Sequence, residues 1–164
     1  RDVRSGTLDV PGITAFAVAV EMAVKAQQES AARLLALRDE LVELVRGAAP
    51  DAILNGDPGD RLPGNAHFSF PGCDGDALLL LLDAAGIECS TGSACSAGVP
   101  QPSHVLLAMG YPAEEARGSL RLSLGRTTSD ADIEMAAGAI GRVVERLRAG
   151  STHVTPSRAA SAIR

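Results

Sequence analysis

Cys95 lies in the run Cys89-Ser90-Thr91-Gly92-Ser93-Ala94-Cys95-Ser96-Ala97-Gly98. Its neighbours are too small to bury a thiol, and the two glycines widen backbone freedom. Most free cysteines are buried hydrophobes. This one is placed to reach a reactant, and its chemistry would be that of a nucleophile. An unperturbed thiol, with a pKa of about 8.5, is only slightly ionised at neutral pH. A reactive Cys95 therefore needs a cation, a dipole, a base or a bound cofactor beside it. No basic residue lies in the run itself, so activation must come from another element or from a cofactor.

Arg121 sits between Leu120 and Leu122 in an alternating segment. A guanidinium there either joins a structural ion pair or offers a bidentate fork to a carboxylate ligand. Arg126 follows two residues after Leu124 and reads as a surface or interface arginine. Arg4-Ser5-Gly6-Thr7 is a short polar patch that is either a plain turn or a phosphate cradle. His67 and His104 could join the cysteines on a metal, but Cys73, Cys89 and Cys95 follow no zinc spacing. Cys73 and Cys89 read as structural, and His67 as a hydrogen-bonded histidine on a polar strand face.

These residues need elements to hold them. Pro11 suits the first turn of a helix, and helical sequence runs to about Ala48, with a possible break at Glu29-Ser30. Leu34, Leu37, Leu41, Leu44 and Val45 fall on one face. Ala52 to Asn55 is a short strand candidate, followed by a loop. Ala66, Phe68 and Phe70 alternate with His67 and Ser69, as a half-buried strand does. A very apolar helix spans Asp76 to Ala85 and stops at Gly86. Ile87 to Ser90 is expected to be a strand leading into the Cys95 run. Ser103 is expected to cap a short helix through Met109, and a second begins near Pro112. Leu120 to Leu124 reads as a strand with Arg121 and Ser123 on one side. Ser129 and Asp132 form a capping-box variant for a last helix with the stripe Ile133, Ala136, Ala137, Ile140, Val143, Val144 and Leu147.

The 164 residues suffice for one domain with a core, built from Leu, Val, Ile and Ala because aromatics are only 2%. The net charge of −5 argues against a nucleic-acid partner. No apolar run approaches the roughly 18 residues of a membrane span, so no membrane partner is expected. The first residues carry no secretory pattern and read as the middle of something longer. With an odd number of cysteines and no C-x-x-C pair, the setting expected is a reducing cytoplasm. The mixed elements imply an α+β domain over residues 1–149, a small antiparallel or mixed sheet covered by helices. Residues 150–164 have no periodicity and are expected to be a disordered tail.

Taken together, Arg4-Ser5-Gly6-Thr7-Leu8, Ser90-Thr91-Gly92-Ser93-Ala94-Cys95-Ser96-Ala97, Pro102-Ser103 before Val105-Leu106, and Leu120-Arg121-Leu122-Ser123-Leu124-Gly125-Arg126 resemble the class I cysteine desulfurases, the NifS/IscS type. The resemblance runs to about Leu147 and covers the C-terminal part of that family. It implies the small C-terminal domain, with its linking helix, of a pyridoxal 5'-phosphate enzyme of the aspartate-aminotransferase fold type (fold type I). The family's cofactor lysine and ring-stacking histidine belong to a large N-terminal domain. Lys25, the only lysine here, has no matching context.

The resemblance also implies roles. Cys95 matches the nucleophile that takes sulfur from L-cysteine as a persulfide, releases L-alanine, and passes the sulfur on for iron–sulfur cluster assembly. Arg121 matches the arginine that clamps the substrate α-carboxylate. Thr7 matches the threonine that reaches the cofactor phosphate of the other subunit of a homodimer. An iron–sulfur scaffold or other sulfur-acceptor protein is the implied partner, and in some members the cysteine matching Cys95 also helps ligate a cluster shared with the scaffold. His67 stands where the family often has asparagine, and the Ser/Thr/Arg-rich tail differs from the segment that many members use to dock the scaffold. A selenocysteine lyase shares this architecture. A non-catalytic dimerisation or sulfur-acceptor docking fragment is the reading from another class.

Overall fold

The computed structural model describes residues 6–92 and 101–151, the last of these by its backbone alone. Cys95, Arg4 and residues 152–164 of the tail expected over 150–164 lie outside the described residues. Helix α1 spans Val10–Ala48. Asp9 caps it by accepting from the Gly12 N–H at 3.1 Å, and proline occupies its first turn. Its 39 residues run through Glu29-Ser30, the one place where a break was possible, without interruption. The residues flanking Ser30 there (Ala26, Gln27, Gln28, Glu29 and Ala31) are strong helix formers, and one serine does not outweigh them. Only the second half is packed: Leu37, Leu41, Val42 and Val45 are buried together with Arg38. The first half is exposed on all sides, Phe16 by 72%.

Strand β1 spans Ile53–Leu54, β2 Asn65–Ser69 and β3 Ser119–Ser123, in one antiparallel sheet of order β1-β2-β3. The register pairs Ala66 with Leu122, His67 with Arg121 and Phe68 with Leu120. Ala66, Phe68, Leu120 and Leu122 form the apolar face, and the Phe68 and Phe70 rings lie 6.0 Å apart. The alternation expected for this strand is what builds the core. Ser69, on the other face, is nevertheless fully buried, because Asn55 Nδ2 donates to its hydroxyl at 2.9 Å.

Helix α2 (Gly75–Ala84) starts at Asp74, which accepts from the Ala77 N–H at 3.0 Å. It ends in a Schellman motif: Gly86, at φ +80°, donates to Asp83 O, and Ile87 donates to Leu82 O. That motif explains a departure from the sequence expectation. The Ile87 N–H is spent on the helix end, so residues 87–90 make no strand, and only Ser90 bridges to the sheet.

Helices α3 (His104–Ala108) and α4 (Ala113–Arg117) are single short turns. Ser103 occupies the α3 cap position, but its buried side chain makes no capping hydrogen bond, contrary to expectation. Helix α5 spans Asp130–Ser151, two residues further than the boundary expected at 149. Its capping box forms as read: Ser129 N–H donates to Asp132 Oδ2 at 2.8 Å, and Asp132 N–H donates back to Ser129 Oγ at 3.4 Å. The α5 stripe packs on α1 and α2, with Ile133, Ala137, Ile140 and Val144 buried. Each fully buried leucine in this core (Leu41, Leu78, Leu82, Leu120) contributes about 1.5–3 kcal/mol.

Candidate active site

Arg121 stands in the middle of β3 with its side chain exposed, on the face opposite the core. Among the described residues it forms no side-chain ion pair. Its backbone is fully committed: the Arg121 N–H donates to Ser90 O at 2.6 Å, and the Ser90 N–H donates to Arg121 O at 3.1 Å. Ser90 Oγ in turn accepts from the Gly92 N–H at 3.0 Å. The segment that enters the Cys95 run is therefore fastened to the strand position that carries the arginine. Four residues lie between Ser90 and Cys95, and the five steps from one to the other span at most about 17 Å.

The sheet end beyond Arg121 is fixed from α1. Arg33 donates to Gly125 O, Arg126 O and Thr128 O at 3.1, 2.8 and 2.8 Å. Arg126 enters this arrangement through its carbonyl. The exposed Arg121 thus projects from a strand held at both ends.

Beside Arg121 lies His67, half-buried, on the same face of β2. Burial, then the charges of Arg121 and Arg61, hold its imidazole below the usual histidine pKa. Arg61 comes from the β1–β2 connection, where Nη2 donates to Asn55 O and Nε to Asp57 O, both at 2.6 Å. Burial lowers the Arg61 pKa, with the Arg38 charge adding to the effect. Asp57 closes the turn by accepting from Gly59 N–H and Asp60 N–H, which pull its carboxyl below the ordinary value. Tyr111 reaches the same connection by accepting from the Gly56 N–H at 3.1 Å. This corner is rich in guanidinium groups, an arrangement that receives anions.

Arg61, Asn55 and Tyr111 carry no sequence signal. They are brought together by the sheet register and by the Schellman turn at Gly110, where the Tyr111 N–H donates to Leu106 O. Thr7 is exposed ahead of α1, about 40 Å of helix away from Leu37, where packing begins. The chain does not bring Thr7 to Arg121. Cys73 and Cys89 are partly buried, and burial raises both thiols above their ordinary pKa. His104 is exposed at the start of α3. No group of His, Cys, Asp or Glu side chains among the described residues could hold a metal ion.

Residues 1–135 match the aminotransferase class-V family. The chain belongs to that family. It is 58% identical over 149 residues to an IscS-like cysteine desulfurase of Mycobacterium tuberculosis, covering 90% of this chain and 38% of that protein. It is 44% identical to cysteine desulfurase IscS 1 of Archaeoglobus fulgidus, covering 92% of this chain and 39% of the relative. A solved NifS-like protein superposes with a TM-score of 0.75 at 30% identity, over 88% of this chain and 36% of that one. The chain therefore spans between a third and two fifths of the length of these relatives. The α+β fold, a small antiparallel sheet under helices, is that of the NifS-like structures.

The family is pyridoxal-phosphate dependent. The residues present fit that cofactor in part. Thr7 offers an exposed hydroxyl next to Gly6, whose α-carbon has open space around it, so a phosphate could approach. Lys25 is exposed on the unpacked half of α1, far along the helix from the packed body.

Proposed function

We propose that this chain is the substrate-clamping and sulfur-accepting part of a pyridoxal-phosphate-dependent cysteine desulfurase. The observation that carries the reading is the Ser90–Arg121 bridge. It ties the approach to the only cysteine set among small residues to an exposed arginine that forms no ion pair among the described residues. When bound, the cofactor withdraws electrons from the substrate's α-carbon and so weakens its carbon–sulfur bond.

This chain's residues perform the rest. Arg121 holds the α-carboxylate of L-cysteine through paired N–H donors. Cys95 attacks as the thiolate. A sulfur–sulfur bond forms, the carbon–sulfur bond breaks, and the electron pair stays on the carbon, which takes a proton to become the methyl group of L-alanine. The products are L-alanine and a Cys95 persulfide, so the step needs no external oxidant or reductant. Thr7 binds the cofactor phosphate of a second subunit, which makes the enzyme a homodimer. Its distance along α1 from the packed body supports a contact in trans.

The persulfide then passes to a sulfur-acceptor protein such as an iron–sulfur scaffold, and Cys95 contributes to a shared cluster during that transfer. The compartment is the cytoplasm, where free thiols such as Cys73 and Cys89 persist. No helix among the described residues is long and apolar enough to cross a membrane. The exposed apolar half of α1 favours a second reading for the 164 residues by themselves, that of a docking piece without turnover.

The test is to assay the full-length protein and this chain side by side for alanine and sulfide release from L-cysteine. The full-length protein releases both, and this chain releases neither. Cys95→Ser in the full-length protein abolishes persulfide formation and leaves the cofactor absorbance in place. Sulfur transfer retained by that variant removes Cys95 from the reaction.

A further inference from the structure

His67 and Arg121 oppose each other directly on β2 and β3. Both backbone groups of Arg121 go to Ser90, while the His67 carbonyl accepts from Asn55 N–H at 2.7 Å. Neither backbone is spent on the other, so this is a non-hydrogen-bonded antiparallel pair. Such pairs bring Cα atoms to about 4.5 Å and side chains closest together.

The charged groups around the imidazole are Arg121 from β3 and Arg61 from the β1–β2 connection. Behind Arg61 stand Arg38 and Asp39 of α1, Asp57, and Tyr111 of the α3–α4 turn. No carboxylate acts directly on the imidazole among the described residues. His67 Nε2 is buried without a hydrogen-bond partner there. An imidazole whose buried Nε2 has no partner thus stands opposite a guanidinium that forms no ion pair among the described residues, and one incoming anion would offset the charge between them.

We propose that His67 is a proton-linked neighbour of the Arg121 clamp, taking up a proton from solvent when the substrate carboxylate is seated on the guanidinium. The inference rests on the reading of Arg121 as the substrate clamp. A carboxylate seated on Arg121 offsets the nearest positive charge felt by the imidazole, so the proton becomes easier to bind. Linkage makes the effect reciprocal: whatever factor the carboxylate adds to proton affinity, the proton adds to carboxylate affinity.

The experiment uses the full-length enzyme loaded with cofactor, histidine-labelled for NMR, with L-alanine as the probe ligand. Saturating alanine raises the proton affinity of His67 about tenfold, and alanine binds tighter as pH falls below 8, measured relative to His67→Asn, by a factor that approaches the same tenfold once both forms are protonated. His67→Gln, with a matching thermal midpoint, loses the pH-linked gain in alanine affinity just as His67→Asn does.

An imidazole titration unmoved by alanine, in an enzyme where Arg121→Ala has lost alanine affinity, overturns the role of His67 alone. Alanine affinity unchanged by Arg121→Ala overturns the clamp, and this inference with it.

Discussion

Ser90 and Arg121 exchange both of their backbone hydrogen bonds, at 2.6 and 3.1 Å, and nothing else in residues 87–92 pairs with the sheet. The bridge is a single rung. It holds the entrance to the Cys95 run against β3 while leaving the Arg121 side chain exposed. The approach to the Cys95 run and the exposed Arg121 side chain thus share one attachment point.

The first prediction concerns the clamp. Arg121→Ala in the full-length enzyme should cost about 2–3 kcal/mol of substrate binding, as loss of charge-assisted hydrogen bonds does. Arg121→Lys should recover only part, because an ammonium cannot form the two-pronged contact. Steady-state kinetics with L-cysteine measures both, and equal KM values for the two variants and the parent would refute the role.

Thiol reactivity provides the second. Burial raises the pKa of Cys73, where the Arg148 charge and hydrogen bond oppose the rise, and burial also raises that of Cys89, with Asp83 adding to it. Both should therefore alkylate more slowly at pH 7 than free cysteine, since only the thiolate reacts. Mass spectrometry of iodoacetamide time courses resolves each site. Labelling of either as fast as free cysteine would contradict its environment.

Acidification provides the third. The folded state holds the His67 imidazole below its usual pKa, so the unfolded chain binds the proton first as pH falls. The stability from this site is complete above the unfolded value of about 6.5 and is lost as pH drops toward the folded value. Urea midpoints should fall between pH 7.5 and 5.5, and should fall less in His67→Asn. Equal slopes in the two proteins would exclude the effect.

A close backbone approach supplies the fourth. A Cβ on Gly118 would lie 2.7 Å from Phe70 O and 2.8 Å from Cys73 O. Phe70 also donates its N–H to Gly118 O at 2.9 Å, so the backbone cannot simply move away. Gly118→Ala should destabilise by about 1–3 kcal/mol, the usual cost of overpacking. Thermal denaturation reads this directly, and an unchanged midpoint would show that the backbone yields.

Much of the fold was legible because periodicity and caps are local. The α5 stripe, the Ser129–Asp132 box and the alternation through Phe68 each declare themselves within a few residues. The strand expected at Ile87 failed because a helix end upstream had claimed its N–H, a competition that periodicity cannot register. Ser103 looked like a cap by type, but its side chain is buried and makes no capping bond.

In the site, Arg121 stood out as a cation among leucines. The pairing of Arg121 with His67 and Ser90, and the arrival of Arg61 beside them, depend on sheet register and on turns far apart in sequence. No spacing rule announces those contacts.

The exposed half of α1 has a consequence for how the molecule can be divided. Every side chain from Val10 to Glu29 lies outside the core, while Leu37 onward is built into it. The first half keeps its helical form by continuity with the anchored half, since an unpacked segment of that length is marginal alone. Cutting before Ser30 should leave a folded remnant of higher solubility, with the greasy handle that Phe16 and its neighbours present now gone. If so, the body keeps its fold without the handle, whose apolar side chains add no packing to it.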